Sequence, residues 1–84
     1  MKQIKVRAVK LIEKELPIST DYIKLDSALK LADIAQTGGH AKILVEEGLI
    51  KVNGENCLMR GKKLRPGDTF EYEKFIFRIT ETQN

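Results

Sequence analysis

From Leu25 onward the hydrophobic period of this chain changes once, at Gly48, and that change limits the folds open to it. Upstream, Leu25, Ala28, Leu29, Leu31, Ala32 and Ala35 recur at helical spacing. Thr37, Gly38 and Gly39 interrupt the pattern, which restarts with Ala41, Leu44 and Val45, with Ile43 alongside. Downstream the period becomes two: Leu49, Lys51 and Asn53 alternate with Ile50 and Val52, and the run closes on Asn53 and Gly54, a strong hairpin-turn signal. Pro66, Gly67 and Asp68 mark a second turn, after which residues 69–72 and 75–80 read as strands joined through Glu73 and Lys74. The expectation is an α+β domain. Two short helices, the first capped by Asp26 and the second stopped at Gly48 by a left-handed residue, pack on a small bent sheet of mixed or antiparallel strands.

The stretch before this unit is less determined. Ile4, Val6 and Ala8 alternate with Lys5 and Arg7 as a half-buried strand would, whereas Ala8, Leu11, Ile12 and Leu16 also satisfy a helical stripe; a strand at its start is the reading favoured here. Pro17 is expected to close it, because the residue before proline is pushed away from helical geometry, and residues 18–22 to form a connector. Residues 1–23 are thus read as an amino-terminal extension, strand plus connector, and 24–84 as the functional domain.

Eighty-four residues support one modest core, which argues against a multidomain catalyst. One cysteine, Cys57, cannot form an internal disulfide, and one histidine, His40, cannot complete a Cys and His metal cluster. Cys57 is therefore expected to act as a small hydrophobe, and no cofactor or metal is expected. Nothing approaches the ~18 apolar residues of a membrane span, and the amino end lacks the apolar stretch of a secretory signal, so the expected location is the cytoplasm, with no membrane partner.

The net charge of +3 is mild, and its distribution says more. Residues 24–65 hold eight basic and five acidic groups, whereas 66–84 hold two and four. Arg60, Lys62, Lys63 and Arg65 place four cations within six positions without a carboxylate among them. Such a patch attracts polyanions by releasing condensed counterions, although a charged run is also what an ordinary solvated face looks like. The second constellation is Thr37, Gly38 and Gly39, which open a helix with His40 and Lys42 nearby. A helix opening presents unpaired amide hydrogens and the positive end of the dipole, and glycines admit a phosphate close to the main chain. The plainer alternative is a helix–helix turn in which Thr37 caps its own helix and the glycines relieve crowding. His40 either donates to a phosphate or sits on the helix surface, and it has no acid or base partner. Phe70, Tyr72, Phe75 and Phe77 lie in the most acidic segment and read as core and sheet packing, not as base-stacking platforms.

Lys24, Leu25, Asp26 and Leu29, then Ala41, Leu44, Val45 and Gly48, then Val52, Asn53 and Gly54, then Gly67 and Asp68 fall in one register that resembles the S-four RNA-binding domain, also called the alpha-L motif. The resemblance covers about residues 24 to 72. Members of that family usually open the second helix with Ser or Thr followed by Arg. Here Gly38 stands in place of the arginine, and the run from Thr37 to Lys42 is similar to the stand-alone bacterial members, the YaaA type. The resemblance implies a non-enzymatic module that binds structured RNA, ribosomal or transfer RNA, with no small-molecule substrate and with the ribosome as a candidate partner. Lys24, Thr37, Gly38, Gly39, Lys42 and Asn53 fall on or beside family motif positions, Asn53 more as a turn residue than as a ligand. His40, Lys30, Lys51, Arg60, Lys62, Lys63 and Arg65 complete the expected RNA-binding set on the charge and helix-opening arguments alone. The competing class is a protein-interaction adaptor that docks through the helix face and uses its basic run for solubility.

Overall fold

The computed structural model describes residues 10–82. In chain order it contains β1 (Ile12–Ile18), β2 (Ile23–Lys24), α1 (Leu25–Leu31), α2 (Gly38–Glu46), β3 (Ile50–Val52), β4 (Glu55–Asn56), β5 (Lys63–Leu64), β6 (Thr69–Tyr72) and β7 (Phe75–Glu81). The sheet order is β1-β7-β6-β3-β4, with β1 parallel to β7 and the other neighbours antiparallel; β2 and β5 form a separate two-stranded ribbon. This is the expected α+β arrangement, two helices on a small mixed sheet.

One face of the sheet is apolar because its strands alternate. Leu16 and Ile18 of β1, Ile50 and Val52 of β3, Phe70 of β6, and Phe77 and Ile79 of β7 are all buried. Against them lie Leu25, Ala28 and Leu29 of α1, Ala35 of the link, and Ala41, Leu44 and Val45 of α2, so the two hydrophobic periods meet in one core. The Phe70 and Phe77 rings stack with centroids 5.0 Å apart at its centre. The aromatic residues of the acidic segment are thus core and sheet packing, as their position implied.

Several local expectations are met and three are corrected. Gly48 stops α2 at φ +76°, and Asn53 and Gly54 take φ +51° and +87°, the left-handed pair that a tight hairpin requires. Leu31 does not complete the helix stripe but is exposed. Asp26 does not cap α1. The cap position is Lys24, with no side-chain bond, and Asp26 sits in the first turn accepting from the Ser27 N–H at 2.7 Å. Pro17 does not end a strand but lies within β1. The Ile12 N–H donates to Lys74 O and the Ile18 carbonyl accepts from Thr82 N–H, so even-numbered residues of β1 turn their backbone groups toward β7 and odd-numbered ones turn them outward. Proline's missing N–H therefore falls on the edge of β1 away from β7, where no described strand pairs with it. The strand expected around Ile4, Val6 and Ala8 lies outside the described residues.

Candidate nucleic-acid interface

Lysine cannot accept a hydrogen bond, so Lys24 leaves the first amide hydrogens of α1 without a side-chain cap. The loop from Cys57 to Lys62 supplies the missing acceptors: Leu25 N–H donates to Lys62 O at 2.8 Å and Asp26 N–H to Arg60 O at 2.9 Å. The basic loop is thereby pinned by its backbone across the amino end of α1, while the side chains of Arg60, Lys62, Lys63 and Arg65 all remain exposed. The same docking pairs β2 with β5 and sets Lys24 directly opposite Lys63. Like charges facing each other across an antiparallel pair are destabilising. Tyr22 partly offsets this by lending its ring to two of the cations, with Lys63 Nζ 4.9 Å and the Arg65 guanidinium carbon 5.9 Å from the ring centroid.

Arg65 is positioned by a second device. The Asn53 side chain accepts from Thr69 N–H at 3.0 Å and donates to the Asp68 carboxylate at 3.3 Å, and that carboxylate accepts from Arg65 N–H at 2.8 Å. With Asn53 N–H also donating to Thr69 O, the two turns around Gly54 and Gly67 are clamped together. Asn53 thus has its amide engaged within the fold. Among the described residues the one ion pair joins Arg78 to Glu13, so no cation of the basic loop has a carboxylate within 4.0 Å.

The opening of α2 is built differently. Thr37 Oγ1 accepts from His40 N–H at 3.0 Å, and His40 Nδ1 accepts from Gln36 N–H at 3.3 Å, a reciprocal arrangement that resembles a capping box with histidine in the glutamate position. With Nδ1 accepting, neutral His40 carries its proton on Nε2. The N–H groups of Gly38 and Gly39 have no acceptor among the described residues. Thr37 is thus the cap of its helix, but crowding does not account for the glycines. A Cβ on Gly38 would meet nothing within 4 Å, and one on Gly39 only Thr37 Oγ1 at 3.9 Å; neither has a positive φ.

The other candidate residues are scattered. Lys30 is exposed in the last turn of α1, and Lys42 is exposed one turn into α2. Lys51 is exposed between buried Ile50 and Val52, so it projects from the sheet face turned away from the helices, where its register neighbour on β6 is Glu71. The structure therefore gathers Lys24, Arg60, Lys62, Lys63 and Arg65 at the amino end of α1, and Thr37, Gly38, Gly39, His40 and Lys42 beyond its carboxyl end. Asp26, whose N–H is bonded to the loop, brings one carboxylate to the border of the first group. The sequence reading missed Tyr22, whose cation partners lie about forty residues away along the chain, and the loop carbonyls that cap α1.

Residues 16–80 match the family model described as the S4 domain. The chain belongs to the S4 domain family. It is also 45% identical over 60 residues, 71% of this chain and 84% of the relative, to a Bacillus subtilis (strain 168) protein called "Probable ribosome maturation protein RlbA". Among the described residues of this S4 domain, no helix is long and apolar enough to cross a membrane, and no three His, Cys, Asp or Glu side chains gather as metal ligands would.

Proposed function

We propose that this protein is a non-enzymatic module that binds structured RNA by its phosphate backbone. The opposed Lys24–Lys63 pair, with Lys63 and Arg65 both over the Tyr22 ring and with no carboxylate partner within 4.0 Å among the described residues, carries the reading. A fold that sets two lysines face to face gives up stability for a local charge density that a phosphate relieves. Arg60 and Lys62 extend that surface along the loop. At the opening of α2, the amides of Gly38 and Gly39 offer a second phosphate contact, with His40 Nε2–H and Lys42 as donors on the same helix and Lys30 as an exposed charge in the last turn of α1. Lys51 contributes only a peripheral charge, and Asn53 acts through the turn that holds Arg65.

The relative's name, a probable ribosome maturation protein, supports ribosomal RNA as the target, and hence the cytoplasm as the place of action. Phosphates carry no sequence information and the narrow A-form major groove excludes helices, so the module reads shape. Crosslinking in cells followed by sequencing of the bound RNA tests the assignment, with enrichment of ribosomal or transfer RNA expected. Capture of partners with and without ribonuclease addresses the adaptor reading, which exposed Leu31 and Ile43 on the helices keep in play. Partners that survive digestion unchanged would favour the adaptor.

A further inference from the structure

Leu58 and Met59 are adjacent in the basic loop and are the most exposed large hydrophobic residues described, at 64% and 65%. They are not a floppy excursion. Lys62 N–H donates to Met59 O at 3.1 Å, closing a turn over Arg60 and Gly61; Cys57 Sγ also reaches Met59 O, and Cys57 N–H is held by Ile50 O at 3.0 Å. Both ends of the loop are tied to the fold, so the backbone that carries the apolar pair is anchored. Beside it lies an open cleft of about 270 Å³, bordered by Glu55, Asn56, Cys57, Leu58, Met59 and Lys62, so that one carboxylate stands at its edge. That is small for an ordinary ligand pocket and of a size for one flat ring system. The flanking Arg60, Lys62 and Lys63 are exposed, and the loop carries no carboxylate from Cys57 to Gly67.

We propose that Leu58, Met59 and the cleft they border receive an unpaired base of the RNA, so that the module selects a bulge or an unstacked nucleotide within a duplex. The inference rests on the phosphate-binding reading above and adds to it the feature recognised. Apolar wedges flanked by cations are a device by which proteins exploit weakly stacked positions, and sequence-specific RNA recognition favours bases that can be splayed out of the helix. The exposed Arg60, Lys62 and Lys63 outnumber Glu55 around the cleft and favour nucleic acid over a protein groove as occupant, because the same loop supplies the phosphate contacts on either side.

The test uses the full chain and two RNA hairpins of equal stem length, one with a single-nucleotide bulge carrying 2-aminopurine and one fully paired. The parent is expected to bind the bulged hairpin about tenfold more tightly, the scale of two partly buried apolar side chains, and to change the probe's fluorescence. Leu58→Ser with Met59→Ser is expected to bind both hairpins alike, with its thermal midpoint, its affinity for the paired stem and its salt dependence unchanged. A parent that does not discriminate, or a variant that retains the preference, overturns this inference while leaving phosphate binding in place. A parent that binds neither hairpin removes the RNA reading itself.

Discussion

Gly38 and Gly39 open α2 at a cost to the helix, and replacing both with alanine separates stability from binding. Neither glycine has a positive φ, and an added Cβ meets open space at Gly38 and only Thr37 Oγ1, at 3.9 Å, at Gly39. The folded state thus accepts alanine without strain, while the unfolded chain loses freedom, which stabilises by about 0.4–1 kcal/mol per site. For two sites the gain is about 1–2 kcal/mol. At roughly 4–8 °C per kcal/mol for a domain of this size, the midpoint should rise by about 4–15 °C. The same methyl groups stand beside the two amides that have no internal acceptor, where a phosphate would approach. Affinity for folded ribosomal or transfer RNA should therefore fall as the midpoint rises. Calorimetry and an RNA titration on the Gly38→Ala, Gly39→Ala variant read both. A more stable variant that binds as well as the parent refutes the role given to the glycine corner, and a less stable one refutes the packing argument.

Three further outcomes are expected. Lys63→Ala removes one member of the opposed lysine pair, so the free protein should hold or gain up to about 1 kcal/mol while RNA affinity falls evenly across sequences; denaturation and binding curves at matched salt check this. Asn53→Ala breaks the clamp to Thr69 and Asp68 and leaves a non-glycine at φ +51°, costing about 2–4 kcal/mol, with Asn53→Gly restoring the backbone part alone; urea midpoints distinguish the two. Pro17→Thr restores an N–H on the outward edge of β1, where no described residue pairs with it, so stability should stay within about 0.5 kcal/mol. A large drop there would contradict the assigned β1 hydrogen-bond pattern.

The residues that spoke clearly in the sequence were those whose local and tertiary demands agree. The switch of period at Gly48, the Asn53–Gly54 turn and the Thr37 cap each follow from backbone chemistry within a few residues. Pro17 misled because the rule applied to it bars helix, not strand: the residue before proline is pushed toward extended geometry, which β1 already has, and the missing N–H points away from β7. Asp26 misled because a cap is a competition, won here by carbonyls of a loop more than thirty residues downstream. The two-residue strands β2 and β5 are too short to show alternation, so neither the facing of Lys24 with Lys63 nor the place of Tyr22 was legible. The exposed cations were visible as a list, and alternation already set Lys51 opposite Ile50 and Val52, but the sequence did not divide the rest between the two ends of α1.

The salt dependence of binding to structured RNA tests the central claim most directly. For the parent, the logarithm of the association constant should fall linearly with the logarithm of salt concentration. Substituting Lys24, Lys62, Lys63 and Arg65 together by glutamine should reduce the magnitude of that slope by about 3, roughly 0.7–0.9 for each phosphate no longer neutralised, with the fold intact. A variant with the parent's slope and affinity would show that the cluster at the amino end of α1 does not hold the RNA.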